Sequence, residues 1–162
     1  RDRSVSRGLG DVYKRQEIYS AVKTPFEIRS GSEKVTRRFF KICNNGRESF
    51  TGLYKSLTEQ GICKGHQCIA YGLYMRDNGI ELSEGLAVYG YSICSAIVTN
   101  CVKLVPLSQL AGQKILGESF ELISSASEKA LFTDINDIGI SGAGFDLRAM
   151  QHERLYSRQY MS

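Results

Sequence analysis

The sequence has few helix breakers and no long uninterrupted apolar run. Only two prolines, Pro25 and Pro106, occur in 162 residues, so long stretches lack the residue that most strongly disrupts helices. No apolar run reaches the roughly 18 residues that cross a bilayer, and the first residues lack the apolar stretch of a signal peptide. We therefore expect a helical, cytoplasmic protein with no membrane partner.

Cysteine occurs in an odd number, which excludes complete internal pairing. The five cysteines are Cys43, Cys63, Cys68, Cys94 and Cys101, and their spacing does not match a disulfide framework. We expect reduced thiols.

The basic charge is concentrated at the beginning of the chain. The net charge is +4, but the first sixteen residues hold five basic and two acidic residues, and the remainder has a net charge of +1. We therefore expect no nucleic-acid partner, although a helical nucleic-acid binder is the alternative that this charge would support.

Residues 1–16 show little apolar periodicity and resemble a translated sequencing adapter. A natural basic tail is the alternative. We expect residues 1–16 to be a non-native or disordered tail, and residues 17–162 to form the folded domain.

The spacing of apolar residues predicts an all-α fold. Phe50, Leu53, Tyr54 and Leu57 follow the i, i+3, i+4, i+7 pattern of an amphipathic helix, with Gly61 just beyond it. Similar reasoning predicts further helices at 25–43 with an interruption at 30–32, at 68–75, at 82–102, at 108–117 continuing to 131, and at 145–156. The helix at 82–102 is apolar on more than one face, so we expect it to be central or to lie at a subunit contact.

A short Cys/His cluster is the only local candidate for a metal site. Cys63, His66 and Cys68 lie within six residues, and thiolate and imidazole bind zinc or nickel. A closed site needs a fourth donor, and no second cysteine pair has the required spacing. A Cys/His metal-binding helical protein is an alternative function for the chain, and a role in packing or in contact with solvent is the other interpretation of these residues.

No sequence motif for catalysis is present. His152 has no nucleophile beside it in sequence, and the glycine-rich segment 139–144 lacks the preceding strand and following Lys-Ser/Thr of a phosphate loop. We expect no enzymatic activity. The tail contains Tyr156, Arg158 and Tyr160, residue types enriched at interface hot spots, although a frayed terminus has the same composition.

Two segments carry a family resemblance. Residues 100–109, Asn-Cys-Val-Lys-Leu-Val-Pro-Leu-Ser-Gln, continue into Gly-Gln-Lys-Ile-Leu at 112–116, and residues 149–158 read Ala-Met-Gln-His-Glu-Arg-Leu-Tyr-Ser-Arg. Both are similar to the UreF family of urease accessory proteins, most closely to its Helicobacter-type members. Weaker similarity extends over 17–162.

The resemblance implies a compact helical bundle that acts as a non-catalytic adaptor. Such a protein would form a homodimer, bind UreH (also called UreD), recruit the GTPase UreG and assist nickel insertion into apo-urease. Nickel would be handled by the complex, with no cofactor bound stably by this chain. The family's amino-terminal motifs are absent, so the resemblance also implies a chain that lacks amino-terminal helices.

The resemblance also suggests residues for these contacts. Tyr91 matches a position on the homodimer helix, Lys103 a position near the GTPase-binding face, and Arg158 an arginine that steadies the carboxy-terminal loop. Tyr156 and the tail that contains Tyr160 resemble the part that becomes ordered on UreH. Gln113, inside the second matched stretch, is a further expected protein contact.

Overall fold

The part of the chain that the structure describes consists of helices joined by loops. The computed structural model describes residues 2–43, 46, 48–139 and 142–156. Its helices are α1 (Asp2–Val22), α2 (Phe26–Ile42), α3 (Phe50–Glu59), α4 (Gln67–Asp77), α5 (Leu82–Leu104), α6 (Gln109–Glu118), α7 (Phe120–Leu131) and α8 (Ala143–His152), with one 3-10 turn at Ile135–Asp137. The prediction of an all-α fold is confirmed.

Several predicted helix boundaries are confirmed by local chemistry. Pro25 is the N-cap of α2, and Ser108 caps α6 by accepting a hydrogen bond from the Ala111 N–H at 3.1 Å. Gly61 follows α3 with φ +75°, a conformation that glycine adopts without strain. The predicted interruption at 30–32 is wrong, because α2 continues through Gly31 and buries Ser32.

The chain divides into two units, of which the first comprises residues 1–77 and 137–162. Its core contains Phe40, Tyr54, Cys63 and Ala70 from α2, α3, the α3–α4 loop and α4. The ring of Phe40 meets the ring of Tyr54 edge-on at 6.0 Å between centroids. These contacts bury the apolar face of α3 that the sequence pattern predicted.

The structure places helix α1 over residues that the sequence suggested to be a non-native or disordered tail. Helix α1 runs without a break from Asp2, and the side chain of Gln16 is only 2% exposed. Its Oε1 accepts a hydrogen bond from the Lys64 N–H at 2.7 Å, and a second, at 3.4 Å, from the Tyr54 hydroxyl. Burial with these hydrogen bonds favours an ordered helix at Gln16. The interpretation of residues 1–16 as non-native stays a prediction.

The second unit, residues 78–136, packs α6 and α7 against α5. Helix α5 has 23 residues and a mean hydropathy of 1.4 over its most apolar window, so by length and composition alone it could cross a membrane. Only 6% of that window is buried. Helix α5 was expected to be central or to lie at a subunit contact. In this unit it packs on α6 and α7, but few of its residues are buried, so it is not a buried central helix, and the subunit contact stays a prediction.

Close packing of α5 on α6 predicts the effect of two alanine substitutions. A Cβ at Gly112 would lie 2.7 Å from Cγ2 of Val102 and 3.3 Å from Cγ1 of Val98, whereas a Cβ at Gly117 would meet nothing within 4 Å. Gly112→Ala should lower the free energy of unfolding by about 1 to 2 kcal/mol, because the clash outweighs the higher helix propensity of alanine. Gly117→Ala, the matched control, should raise it slightly. Urea unfolding followed by circular dichroism measures both, and equal effects would contradict the packing argument.

Candidate protein-interaction surfaces

Helix α8 exposes apolar side chains next to the tail that the sequence singled out. No residue of α8 is buried. Phe145 is 71% exposed, Leu147 is 60% exposed, and Tyr156, just beyond the helix, is fully exposed. Large apolar side chains that remain in water on a terminal helix are typical of a surface that binds another protein. Arg158 and Tyr160 lie outside the described residues, so their roles stay predictions.

The end of α8 is attached to the beginning of α2 by Glu153. Its Oε1 accepts a hydrogen bond from the Phe26 N–H at 2.7 Å and a second, weaker one from the Glu27 N–H at 3.4 Å. The N-cap of α2 is Pro25, which has no side-chain group that can accept these hydrogen bonds. A carboxylate at this position also interacts favourably with the positive end of the helix dipole.

His152 forms a second link between the same two helix ends. Its Nδ1 lies 2.6 Å from Oε2 of Glu27. Because an ionised carboxylate only accepts hydrogen bonds, Nδ1 must carry the hydrogen. The sequence had presented His152 only as an isolated candidate base; the structure places it in a contact between helices.

The loop before α8 also contacts the α1–α2 region. Gly139 has φ +104°, and a Cβ there would lie 3.2 Å from Cγ2 of Val22. Only glycine combines this backbone conformation with so close an approach. Gly139 and Glu153 therefore both contact residues at the α1–α2 junction.

A second candidate surface lies on α5, α6 and α7. Tyr91 is 42% exposed, and its ring lies 5.9 Å from the ring of Phe120. Lys103, in the last turn of α5, and Gln113, on α6, are both exposed. These three predicted contact residues are therefore accessible, as a contact role requires, but accessibility alone does not test that role.

An open apolar groove lies between α5 and α7. Its volume is about 530 Å³, and its lining is almost entirely apolar. The residues that line it include Leu86, Gly90, Ile93, Leu122 and Ile123. Leu122 is 73% exposed, so this unit presents apolar surface on both helices.

The Cys63–Cys68 loop is folded into the interior of the first unit. His66 is completely buried, Cys63 is buried and Cys68 is half-buried. The Nε2 of His66 lies 2.7 Å from Oγ of Ser20, and its ring meets that of Tyr19 edge-on. The imidazole is thus held by α1, a partner that local spacing could not reveal.

The chemistry of this loop favours neutral side chains over metal ligands. Burial raises the pKa of the thiols of Cys63 and Cys68, which disfavours the thiolate that binds metals. Burial, followed by the charges of Lys23, Arg29 and Lys64, lowers the pKa of His66 to about 4. Within the described ranges no group of three or more His, Cys, Asp or Glu residues is arranged to hold a metal ion. The structure therefore gives the metal-binding alternative no support.

The contact between α2 and α8 was missed by sequence reasoning. Glu27 and Glu153 are separated by 126 residues, so no local pattern connects them. One signal was available: a helix that begins after proline lacks a side-chain cap and needs acceptors from elsewhere.

These observations define an all-α protein whose candidate functional features are exposed contact surfaces on two helical units. The family model that matches the chain is UreF, over residues 5–119. The chain belongs to the UreF family.

Curated relatives agree with this assignment. The chain is 32% identical over 162 residues to the protein of Actinobacillus pleuropneumoniae serotype 3, covering 99% of this chain and 71% of the relative. It is 26% identical to the protein of Streptococcus thermophilus, with 99% and 68% covered, and 30% identical to that of Paenarthrobacter aurescens, with 90% and 66% covered. Each of these relatives is named urease accessory protein UreF. The chain thus spans about two thirds of their length.

Proposed function

We propose that this chain is a non-catalytic adaptor in urease maturation, which with UreH (UreD) recruits the GTPase UreG and assists nickel insertion into apo-urease in the cytoplasm. Membership of the UreF family supports a role in urease maturation. The observation that carries the adaptor role is the exposed apolar surface of α8, which continues into the fully exposed Tyr156. Tyrosine in such a position buries a large area on binding at a small entropic cost.

The second unit supports a separate set of contacts. Lys103 is exposed at the end of α5, where we place the contact with UreG. The largely uncovered apolar surface of α5, including Tyr91, is where we place the homodimer. Asn100 adds an exposed side-chain amide to this helix, and a polar group of this kind costs free energy in an apolar environment without a hydrogen-bond partner, which favours a protein neighbour over lipid.

Co-purification with tagged UreH and with tagged UreG tests the adaptor role. Tyr156→Ser should weaken the affinity for UreH about thirtyfold, the effect of losing a hot spot of about 2 kcal/mol, and so reduce its recovery. Lys103→Glu should reduce recovery of UreG while leaving UreH bound. The matched control is Phe132→Ser, which changes an aromatic residue that is 88% exposed at the end of α7; it should not affect UreH.

Two outcomes would contradict the proposal. A wild-type chain that shows the expected helical circular dichroism but captures neither partner would exclude the adaptor role. If Tyr156→Ser and Phe132→Ser reduce UreH binding equally, the effect is not specific to the surface at the end of α8.

A further inference from the structure

Helix α2 carries a row of four basic side chains on the side that faces away from the core. The four residues are Lys34, Arg37, Arg38 and Lys41, and all of them are exposed. Their spacing of i, i+3, i+4 and i+7 places them on one face of the helix, whereas the buried residues of α2 lie on the other side. We call these four residues the basic stripe.

The basic stripe concentrates the positive charge of residues 17–162. These residues include 16 basic and 15 acidic side chains, so their net charge is close to zero. Helix α2 alone has five basic and two acidic residues, and the remainder of the range is therefore acidic on balance. A cluster of one sign on such a surface produces a local field that attracts the opposite charge.

No ion pair with a described residue neutralises the basic stripe. The ion pairs within the described part of the chain are Lys114–Glu118 and His152–Glu27. Like charges three and four residues apart repel each other and destabilise a helix. Of the four stripe residues, only Lys41 lies in the last turn of α2, where the helix dipole favours a cation. The stability of α2 therefore does not account for the stripe.

An open pocket lies between the basic stripe and α3. Its volume is about 520 Å³, within the range of ligand-binding pockets. Its charged lining consists of Arg37 and Lys41 from α2 and of Lys55 and Glu59 from α3. Lys55 donates a hydrogen bond to the Phe40 carbonyl at 3.2 Å, which holds its ammonium group at the end of α2. Three cations and one carboxylate thus surround a cavity that is open to solvent.

The dimensions of the basic stripe favour an acidic protein segment over other polyanions. Seven residues of helix rise about 10 Å, a length that a second helix with carboxylates at the same spacing would match. The same length covers only about three phosphates of a nucleic-acid strand. A helix that lies on a membrane inserts its apolar face into lipid, but the apolar face of α2 packs in the core through the buried Phe40. Arginine, present twice in the stripe, binds carboxylates through two parallel hydrogen bonds.

We propose that the basic stripe and the pocket beside it form a docking site for an acidic segment of a protein partner, whose carboxylates bind Arg37, Arg38 and Lys41. This inference goes beyond the proposed function. The site uses residues of α2 and α3 only, none of which belongs to the contacts proposed for UreH, UreG or a second copy of the chain. Its test requires none of these partners.

Fluorescence anisotropy of labelled decaglutamate, measured with the full chain at low salt, tests the docking site. Combining Arg37→Gln, Arg38→Gln and Lys41→Gln should raise the Kd for decaglutamate about tenfold, because three charge-assisted contacts are lost. Added salt should weaken binding to the wild-type chain, since the site is exposed to solvent. Decaglutamine, the uncharged counterpart of the probe, should not bind.

A matched control removes three charges from exposed positions on other helices. Lys114→Gln, Lys129→Gln and Arg148→Gln combined lower the net charge by the same amount. This variant should change the Kd by less than about twofold, because exposed charges act weakly beyond the Debye length.

Two further measurements separate docking from a structural role. The urea midpoint of the variant that lacks Arg37, Arg38 and Lys41 should equal or exceed that of the wild-type chain, because repulsion between like charges is relieved. Combining Arg37→Glu, Arg38→Glu and Lys41→Glu should abolish decaglutamate binding and strengthen decalysine binding about tenfold over the wild-type chain. A chain that is merely unfolded would not gain this specificity.

Each remaining outcome overturns the inference. Equal losses of decaglutamate binding in the stripe variant and in the control variant would show that the probe responds to net charge alone. A urea midpoint of the stripe variant below that of the wild-type chain would assign these residues to the stability of α2. If ten-residue oligothymidylate or vesicles containing phosphatidylserine bind the stripe more tightly than decaglutamate does, the site binds a nucleic acid or a membrane instead of an acidic protein segment.

Discussion

Replacing Asp77 with alanine should lower the free energy of unfolding by about 3 kcal/mol. Asp77 ends α4, and its carboxylate accepts three hydrogen bonds from the beginning of α3: from the Phe50 N–H at 3.1 Å, the Thr51 N–H at 2.8 Å and the Thr51 hydroxyl at 2.6 Å. Thr51 is only 2% exposed. Its hydroxyl and N–H would therefore lose their acceptor where water cannot easily replace it.

The position of α3 in the core explains why Asp77→Ala should lower stability by more than the loss of a single helix cap would. Helix α3 carries Tyr54, which is 1% exposed and packs on Phe40 in the core of the first unit. A displaced first turn of α3 would disturb this packing. Close packing transmits such shifts, because interiors contain few voids that could absorb them.

Urea unfolding followed by circular dichroism measures the effect of Asp77→Ala. Asp77→Asn should lower the free energy of unfolding by about half as much, because the amide oxygen still accepts one hydrogen bond. Asp134→Ala is the matched control: Asp134 is exposed, and its hydrogen bonds among the described residues are local, to Asn136, so its replacement should lower the free energy of unfolding by less than about 0.5 kcal/mol. Equal losses for Asp77→Ala and Asp134→Ala would contradict the argument.

Asp77 and Glu153 show what the sequence could and could not predict. The helices that contain them were predicted from apolar spacing, because that spacing reflects which face is buried. Their cap contacts join residues 26 and 127 positions apart, and nothing in a local pattern specifies such a pairing. Contacts of this kind depend on the tertiary arrangement, which one sequence does not reveal.

The wrong prediction at residues 30–32 has an identifiable physical cause. Gly31 was expected to interrupt α2, but a helical glycine costs only about 1 kcal/mol, and burial of Phe40 and Thr36 on the same helix favours continuation. Residues before Glu17 were expected to be disordered because their composition builds no core. The structure nevertheless buries Gln16 through polar contacts with α3 and the following loop, which hydrophobic patterning does not detect.

The candidate surfaces were only partly predictable. The family resemblance suggested Tyr91 as a contact position, and residue type together with the resemblance suggested Tyr156; the structure adds that both are accessible. The Cys63–Cys68 loop had suggested a metal site by spacing alone. Its side chains instead face the interior, where His66 contacts Ser20, 46 positions earlier in the chain.

Acid should destabilise the folded chain through His66, lowering the free energy of unfolding by about 3 kcal/mol between pH 6.5 and pH 4. His66 is completely buried, and burial, followed by the charges of Lys23, Arg29 and Lys64, lowers its pKa to about 4 from an ordinary value of 6.5. Above pH 6.5 the imidazole is neutral in both the folded and the unfolded chain, so this residue contributes no pH dependence there. As the pH falls below 6.5 only the unfolded chain takes up the proton, and stability decreases until the folded-state pKa is reached.

The hydrogen bonds around His66 explain why the neutral form is preferred. The Ser20 hydroxyl donates to the Gln16 carbonyl at 2.9 Å, so the bond of 2.7 Å between Ser20 Oγ and His66 Nε2 must have Nε2 as its donor. Nδ1 then carries a lone pair, and it has no hydrogen-bond partner among the described residues. Protonation would place a second N–H, and a charge, in a buried position near three basic side chains.

His66→Gln isolates this contribution, because a glutamine amide can donate to Ser20 at about the reach of Nε2 and does not titrate. Urea unfolding is measured at pH 7, 6 and 5. The free energy of unfolding of the wild-type chain should fall by about 2 kcal/mol from pH 7 to pH 5, while that of His66→Gln should stay nearly constant. Carboxylates titrate in both proteins alike, so the difference between the two curves belongs to residue 66. Parallel curves would contradict this prediction. They would mean that the buried imidazole of His66 takes up its proton in the folded chain, so that the interior of the first unit accommodates the charge.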